Sequence, residues 1–488
     1  MSPSVRRTVA RLLGDHKHSW LIAAIFVGSR CVYRVLGVQF DMAPLTTFWQ
    51  YPDPILLRTD LLRTVFFVHA DPPLFDLAVG AALNAPGQAG TWLHALFMAA
   101  GLSLGLLVFR LSAELGAPRN VSAILAVGLV ISPPAILYET WLYPDYLVTC
   151  VLVAGALCLL RFARRRARFW AAGFGLSLCA IVLTRSLFHW TWMVVAIGVL
   201  ALMHPAVGKR LLAYTAVALL LAVGLYAKNL VTVGHFSSTT CVGASVYIMT
   251  TGQLTAAEFN DLRLRRAISA HASVWPFFLS PAEAGLLSTH RTGVPILDQR
   301  LKSTGSVNPN HIDFPRTCDQ YVQDGLTAFR AYPMTYVRAE TQAWTTFFRP
   351  PDEYQYFSAS NVRAARGPSK VFHRALLQVR DPADRVEPPA SIAAVALRLS
   401  EVSPILVMSF TAGLALLARR ALDRTTEIGV RLVAAFAFLT VAYVMTVGNL
   451  LDAGENNRFQ FIVDPLLLAV VVPTLYAALQ LHPDRRRA

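Results

Sequence analysis

Long apolar stretches separated by short polar connections dominate the chain. Stretches long enough to cross a bilayer occur near residues 19–38, 91–110, 121–139, 146–163, 169–184, 187–203, 211–228, 402–418, 428–448 and 460–481. Because a membrane-spanning helix needs roughly 20 apolar residues, this pattern predicts about ten transmembrane helices. The shorter stretch 72–86 contains Asp76 and is bounded by prolines, which predicts a helix lying on the membrane surface rather than crossing it.

The basic residues of the connections predict the orientation in the membrane. If 72–86 does not cross, the N-terminus, "RLSAELGAPRN", "RFARRRAR", "HPAVGKR", "ARRALDR" and "PDRRRA" all share one side. Cytoplasmic loops carry an excess of arginine and lysine, so this side is predicted to be cytoplasmic. The basic start lacks a small-residue cleavage site and is read as a retained first helix. We expect a multi-pass protein of a bacterial inner (plasma) membrane, with both termini cytoplasmic.

Composition excludes an ordinary soluble domain. The 488 residues are 55% hydrophobic and only 15% charged, and the mean hydropathy is +0.47, whereas a soluble domain carries about 25% charged residues. The net charge of +15 is typical of nucleic-acid binding as well. We exclude nucleic acid as a partner because the basic residues cluster between apolar segments, which indicates membrane lipids as neighbours.

The predicted fold is an all-α polytopic membrane protein with juxtamembrane helices and a modest mixed loop domain. Residues 1–228 form an N-terminal core of seven spans, with a first outer loop at 39–90 that includes a short amphipathic helix at 53–68. Residues 229–400 form the large extracytoplasmic loop, and residues 401–488 supply three more spans. Asp53 begins the amphipathic helix, where a carboxylate complements the helix dipole.

The chain has six cysteines. Cys31, Cys150, Cys158 and Cys179 lie in apolar stretches and are interpreted as packing residues. Cys241 and Cys318 lie in the large loop and show no zinc-type spacing. An extracytoplasmic location favours a disulfide between them, while two free thiols fit the sequence equally well.

The stretch "SRCVYRVLGVQFD" (29–41) carries Arg30, Arg34 and Asp41 at the end of the first apolar segment. If the first helix continues to about residue 41, a rotation of about 100° per residue places all three on one face. Arg34 is able to reach the interface by snorkelling. Burial of Arg30 is costly unless a lipid phosphate or a buried carboxylate receives it.

Further polar residues gather at the predicted outer ends of the spans. They are Glu139, Tyr143 and Asp145 in "YETWLYPDYL", His69 and Asp71 in "VHADPPLFD", Arg185 and His189 in "TRSLFHW", and Glu455 and Arg458 in "GENNRF". Taken singly, Asp145 is equally consistent with a helix N-cap and His69 with a turn anchor. Together, carboxylates supply a general base for a hydroxyl nucleophile, and arginines supply positive charge for a phosphate leaving group.

These motifs, in their order and common sidedness, resemble the GT-C superfamily of integral membrane glycosyltransferases. The resemblance rests on "SRCVYRVLGVQFD", "HADPPLF", "YPDYL", Thr184-Arg185 and "ENNRFQFIVDPL", which lie in roughly the first 190 and last 40 residues. Two departures are present. Met42 follows Asp41 where relatives often carry a second acid, and Asp71 is inserted before the Pro-Pro pair.

The resemblance implies an inverting transfer of a monosaccharide from a polyprenyl-phosphate sugar to a hydroxyl of a glycan, glycolipid or protein at the extracytoplasmic face. Asp41 is the implied base, with Asp53, Asp60 and Asp71 as alternatives. Asp145 is implied to bind the acceptor or to orient a cation. The implied phosphate-binding residues are Arg30, Arg34, Arg185, Arg458 and Lys228, and the substrate-binding residues are His69, Asp71, Glu139, Tyr143, His189 and Glu455. No cofactor is required in principle, although Asp41 and Asp145 together suit a divalent cation.

Two other classes of membrane protein compete with this interpretation. A lipid or solute transporter typically places charges at mid-membrane depth and shows paired repeats, neither of which is visible here. A lipid-linked glycan ligase or polymerase has a similar number of spans and one large outer loop, whose basic residues and histidines carry its chemistry. A purely structural membrane protein is a third alternative.

Overall fold

In the computed structural model, the described residues are 3–289, 291–379 and 401–480. Over these residues the chain is built from helices and contains no strand. Two isolated bridges occur, a parallel one between Asp41 and Trp141 and an antiparallel one between Leu301 and Val307. The predicted all-α class is confirmed for this part of the chain.

Twelve helices precede the large loop. They are α1 (Pro3–Val35), α2 (Pro44–Thr47), α3 (Pro54–Thr59), α4 (Leu61–Phe67), α5 (Leu74–Asn84), α6 (Ala89–Glu114), α7 (Arg119–Ile131), α8 (Pro133–Glu139), α9 (Asp145–Arg165), α10 (Arg168–Val182), α11 (Trp190–Met203) and α12 (Pro205–Val233). The described remainder adds α13 (Val242–Met249), α14 (Ala256–Leu264), α15 (Pro295–Asp298), α16 (Phe314–Ala331), α17 (Met334–Phe347), α18 (Ala359–Phe372), α19 (Pro404–Leu422), α20 (Ile428–Leu451) and α21 (Asn456–Gln480). A π-helical turn, His373–Leu377, follows α18.

Six of the described helices are long and apolar enough to cross a membrane: α6, α9, α12, α19, α20 and α21. A seventh span results if α7 and α8, bent by 56° at their junction, are counted as one. The expected total of about ten is not confirmed. Helices α10 and α11 have 15 and 14 residues, fewer than the roughly 20 that a span needs. Helix α1, with 33 residues, is long enough to cross a membrane, but its arginines lower its apolar content and it is not among the six.

Helix α9 is the centre of the bundle and packs against α6, α10, α20 and α21. Small residues permit the close approach of its neighbours. A Cβ atom at Gly155 would lie 3.1 Å from the Ser177 side chain of α10, and one at Gly175 would lie 2.8 Å from Thr215 of α12. Such contacts stabilise helix pairs in lipid, where burial of apolar surface contributes little.

The first helix ends at Val35, so Asp41 lies beyond it and does not share its polar face. The predicted helix at 53–68 is divided at Asp60 into α3 and α4, and Asp53 caps α3 by accepting a hydrogen bond from Ile55 N. Helix α5 has 11 residues, a length of about 17 Å that is too short to cross a hydrocarbon core.

The described part of 229–400 combines helices with long irregular connections and contains no strand, so the expected mixed character is not confirmed there. This segment contacts the loop between α2 and α5. Lys302 Nζ donates to the carbonyls of Phe48, Trp49 and Tyr51 at 3.0–3.2 Å. Ser303 donates to Asp53 through both its N–H and its hydroxyl. Burial lowers the pKa of Lys302 to about 8.

Candidate functional site

Asp145, Arg185 and Arg458 meet at one end of the bundle. Asp145 is the first residue of α9, Arg185 follows α10, and Arg458 lies in the first turn of α21. Their exposed fractions are only 0%, 5% and 6%. Arg185 Nε lies 3.0 Å from Asp145 Oδ1, although outside hydrogen-bond geometry, and Arg458 Nε lies 3.8 Å from Oδ2. We call these residues, with Tyr143, the arginine cluster.

The Tyr143 hydroxyl holds the two arginines together. Arg185 Nη1 donates to its oxygen at 2.8 Å, and Arg458 Nη1 donates to the same oxygen at 2.7 Å. Two guanidinium groups from different parts of the chain are therefore held within a few ångström of each other. Such a pair presents fixed N–H donors to an anion, as recognition of phosphate requires.

Acidic residues surround the arginine cluster. Glu455 Oε2 lies 2.7 Å from Arg458 Nη2 and accepts a hydrogen bond from the Tyr354 hydroxyl at 3.0 Å. Asp452 lies 3.8 Å from the same guanidinium nitrogen. Burial, reinforced by repulsion from Glu455, raises the pKa of Asp452 to about 7. These acids thus offset much of the arginine charge.

Asp71 faces Arg185 from the loop before α5. Its carboxylate hydrogen-bonds with Ser186, the residue that follows Arg185. Burial raises the pKa of Asp71 to about 6, and the Arg185 guanidinium limits the rise. Asp71 is therefore a carboxylate at neutral pH that is a stronger base than an ordinary aspartate.

Asp41 is linked to the cluster through the 140–143 backbone. Its N–H donates to Thr140 O at 2.7 Å, and its carbonyl accepts from Leu142 N at 3.2 Å. The Trp141 and Tyr143 rings stack at 4.2 Å. The half-buried Asp41 carboxylate accepts a hydrogen bond from Ala43 N at 2.9 Å. Asp41 and the arginine cluster thus flank one short connection.

Arg30 lies apart from the arginine cluster and pairs with Glu139, which is fully buried at the end of α8. Nε donates to Oε1 at 2.8 Å, and Nη2 donates to Oε2 at 2.5 Å. Nη1 donates to Val130 O at 2.6 Å. That carbonyl lacks its usual helical partner because residue 134 is a proline. Arg30 therefore stabilises the bend between α7 and α8.

The remaining predicted site residues lie at separate positions. Arg34 is exposed near the end of α1. Lys228 Nζ donates to Val68 O. His69 is buried between Thr240 Oγ1 and Asn310 O, at 2.8 and 2.9 Å, and burial lowers its pKa to about 3. His189 caps α11 through Thr191 N.

The described residues contain no group of three or more His, Cys, Asp or Glu side chains placed to hold a metal ion. Asp145 is instead surrounded by guanidinium groups, which disfavour a cation beside it. The divalent cation considered for Asp41 and Asp145 stays a prediction, and the groups that lie beside Asp145 are the Arg185 and Arg458 guanidinium groups.

Three contacts of the cluster were not predicted from the sequence: Ser186, Tyr354 and Asp452. Ser186 follows Arg185 directly, and Asp452 lies three residues before Glu455, so closeness in the sequence to these predicted residues was a usable signal. Tyr354 comes from the 229–400 segment, where no pattern distinguishes it from other aromatic residues. Its approach to Glu455 depends on tertiary packing.

We expect Tyr143→Phe to remove the oxygen that holds the two arginines together while the aromatic ring stays in place. The ring remains stacked on Trp141, while both guanidinium groups lose their shared acceptor. One hydrogen bond to a charged group contributes about 1.5–3 kcal/mol, so turnover by the proposed activity should fall roughly 10- to 100-fold. Steady-state kinetics checks this, with Tyr336→Phe, which removes an exposed hydroxyl bonded to Leu450 O, as control. Equal rates for Tyr143→Phe and wild type would contradict the bridging role.

No family model matches the chain, and no curated protein matches it either. Among solved structures, the oligosaccharyltransferase of Archaeoglobus fulgidus, tethered with an acceptor peptide containing the NVT sequon via a disulfide bond, is similar at 13% identity and a TM-score of 0.36. The similarity covers 95% of this chain and 50% of that chain, so the chain spans about half the length of that enzyme. A TM-score of this size does not establish a common fold, and the GT-C resemblance continues to rest on the sequence motifs.

Proposed function

We propose that the protein is a membrane glycosyltransferase of GT-C type. It transfers a monosaccharide from a polyprenyl-phosphate sugar to a hydroxyl acceptor, with inversion at the anomeric carbon, on the extracytoplasmic face. The acceptor is a glycan, a glycolipid or a protein. The observation that carries the proposal is the convergence of Arg185 and Arg458 on the Tyr143 oxygen, beside the connection that pairs with Asp41.

The arginine cluster suits the leaving group of this reaction. A lipid phosphate departs as an anion, so its departure requires cationic stabilisation and no proton donor. Arg185 and Arg458 supply two fixed cations at one end of the bundle. Arg30 is committed to Glu139 and Val130, so we assign it the positioning of α8 and of the following connection.

Glu455 forms an ion pair with Arg458, with 2.7 Å between Oε2 and Nη2. Among the ion-paired residues of the site, Glu455 is comparatively exposed, with 24% of its side chain accessible. We assign the donor phosphate to the position of this carboxylate, which moves aside when the donor binds. The exchange leaves Arg458 paired with an anion throughout, so no unpaired buried charge is created.

Glu455→Gln is therefore expected to tighten donor binding. The amide retains an acceptor for Tyr354 but lacks the charge that competes with phosphate, so the KM for the donor should fall about 3- to 10-fold, or roughly 1 kcal/mol. Initial rates at varied donor concentration measure this. A raised KM would mean that Glu455 orients Arg458 for the donor, which would contradict the exchange.

The attacking hydroxyl requires a carboxylate to accept its proton. Asp41 retains the role of base in this proposal, because it borders the Trp141–Tyr143 stack and lies outside the ion pairs of the cluster. The proton passes to Asp41 as the acceptor oxygen bonds to the anomeric carbon and the bond from that carbon to phosphate oxygen breaks. Asp71 is the alternative base, favoured by its raised pKa and its contact with Ser186.

A transfer assay tests the function. Purified protein in lipid nanodiscs is incubated with a panel of polyprenyl-phosphate monosaccharides and a mixture of membrane glycolipids, glycans and peptides. Release of polyprenyl phosphate that depends on both active protein and one donor supports the proposal. The control is protein carrying Asp41→Asn. Absence of release with every donor, under conditions where the protein is folded, would overturn it.

A further inference from the structure

Two cysteines meet behind the loop that carries His69 and Asp71. Cys241 immediately precedes α13, and Cys318 lies in the second turn of α16. Both are buried in one apolar cluster with Ala70 and Phe314. Their side chains lie close enough in this cluster to interact directly.

The two cysteine-bearing elements approach each other closely. A Cβ atom at Gly243 would lie 2.0 Å from the Cys318 carbonyl oxygen, so only glycine fits at this point of α13. The Cys241 backbone is fixed as well, because its N–H donates to Thr239 Oγ1 at 3.1 Å. The thiol contact is therefore imposed by the packing of backbone against backbone.

The same elements hold the His69–Asp71 loop from two sides. On one side, Thr240 N donates to His69 O at 3.0 Å, and Thr239 Oγ1 donates to Ala70 O at 2.6 Å. On the other side, Asn310 Oδ1 accepts hydrogen bonds from the backbone N–H groups of His69 and Ala70. Asn310 lies shortly before α16, the helix that bears Cys318. A disulfide between the two cysteines therefore connects the two segments that hold the His69–Asp71 loop.

We infer that Cys241 and Cys318 form a disulfide that staples α13 to α16 and fixes the loop presenting Asp71 to Arg185. This disulfide rests on the extracytoplasmic placement in the proposed function and does not depend on which sugar is transferred. A disulfide persists in an oxidising compartment and constrains the unfolded chain between its ends. The structure describes both residues as thiols, the reduced form of the pair.

The oxidant is the disulfide of a thiol–disulfide exchange protein. One cysteine thiolate attacks that disulfide and forms a mixed disulfide, and the second cysteine then displaces the dithiol oxidant. Two thiols are converted to one disulfide, and the two electrons and two protons pass to the oxidant. Because the exposed fractions are 5% and 2%, the exchange takes place while the segment folds.

Differential alkylation of the full-length protein tests the staple. Membranes from a host with an oxidising periplasm are collected and denatured in light N-ethylmaleimide, then reduced and treated with heavy N-ethylmaleimide. Peptide mass spectrometry reads each cysteine. We expect heavy label at Cys241 and Cys318 in most molecules, and light label at Cys31, Cys150, Cys158 and Cys179. Light label at Cys241 and Cys318, or heavy label at only one of them, would overturn the inference.

Variants establish the pairing and its structural role. In Cys318→Ser, Cys241 should change to light label, whereas Cys158→Ser should leave both heavy labels in place. Labelling uses the denatured chain, so the reading does not require the variant to fold. Reduction of the wild type should also lower its thermal aggregation midpoint by several degrees. An unchanged midpoint would contradict the role as a staple.

Discussion

Asp41→Asn is expected to reduce kcat by about 10²- to 10⁴-fold, the range that loss of a general base produces. The amide has the shape of the carboxylate and retains an oxygen for the Ala43 N–H, which is bonded at 2.9 Å in the wild type. The backbone bonds of Asp41 to Thr140 and Leu142 do not involve the side chain. The fold should therefore persist while proton transfer is lost. Measurement of kcat with donor and acceptor at saturation checks the effect.

Asp319→Asn provides the matched control for Asp41→Asn. Asp319 lies on α16 with 61% of its side chain exposed, beside His235 at 3.7 Å. Its replacement removes the same charge and should leave kcat unchanged. Asp71→Asn provides the decisive comparison with the alternative base. Full activity of Asp41→Asn together with inactive Asp71→Asn would transfer the role of base to Asp71.

Arg185→Lys is expected to have the second large effect, with kcat lowered by about 10²- to 10³-fold, as for loss of an oriented donor at a developing anion. Lysine retains the positive charge beside Asp145, so the buried carboxylate is not left uncompensated. It lacks the planar fork that reaches Asp145 and Tyr143 at once. The loss should therefore appear in kcat for the natural donor, with expression and thermal stability close to wild type.

Arg161→Lys provides the control for Arg185→Lys. Arg161 pairs with Glu114 at 2.7 Å near the other end of α9, about 24 Å from Asp145 along the helix. The same change of a paired arginine at that distance should leave transfer unaffected. Equal losses in both variants would show that any arginine pair on α9 matters only for folding, and the phosphate role would fail.

The predicted side of the membrane for each helix end is enough to predict that several charged residues meet. Asp145, Arg185 and Arg458 lie at the ends of different apolar stretches, and the basic connections indicate which ends share a side. The structure brings these three together. The sequence does not specify which atoms touch, because a phenolic oxygen accepting from both arginines depends on the rotation of three separate elements.

The hydrophobic pattern alone did not predict the partner of Arg30 or the number of membrane spans. The stretch 121–139 appears as one uniform apolar segment, although Pro133 and Pro134 break it into α7 and α8. That break frees the Val130 carbonyl and directs Glu139 toward Arg30. The sequence named a buried carboxylate as one partner for Arg30 but did not identify it. Likewise, apolar content predicted two full spans at α10 and α11, whereas each helix is too short by itself.

The 39–90 segment shows a similar limit. The amphipathic pattern at 53–68 predicted one helix, and the helix-capping role of Asp53 was readable from its position. The sequence does not predict the break at Asp60 or the hydrogen bonds from Lys302 and Ser303. These features depend on a segment about 250 residues away. Long-range contacts of this kind leave no periodic signal in a single sequence.

Cleavage of the donor in H₂¹⁸O tests the central claim most directly, because it requires no knowledge of the acceptor. Purified protein is incubated with the polyprenyl-phosphate sugar that is active in the transfer assay. Without an acceptor, water takes the place of the acceptor hydroxyl and the donor is slowly hydrolysed. Mass spectrometry locates the label. Attack at the anomeric carbon predicts ¹⁸O in the released sugar and none in the polyprenyl phosphate. Label in the phosphate would show that the phosphorus–oxygen bond breaks, and would contradict glycosyl transfer with a lipid phosphate leaving group held by Arg185 and Arg458.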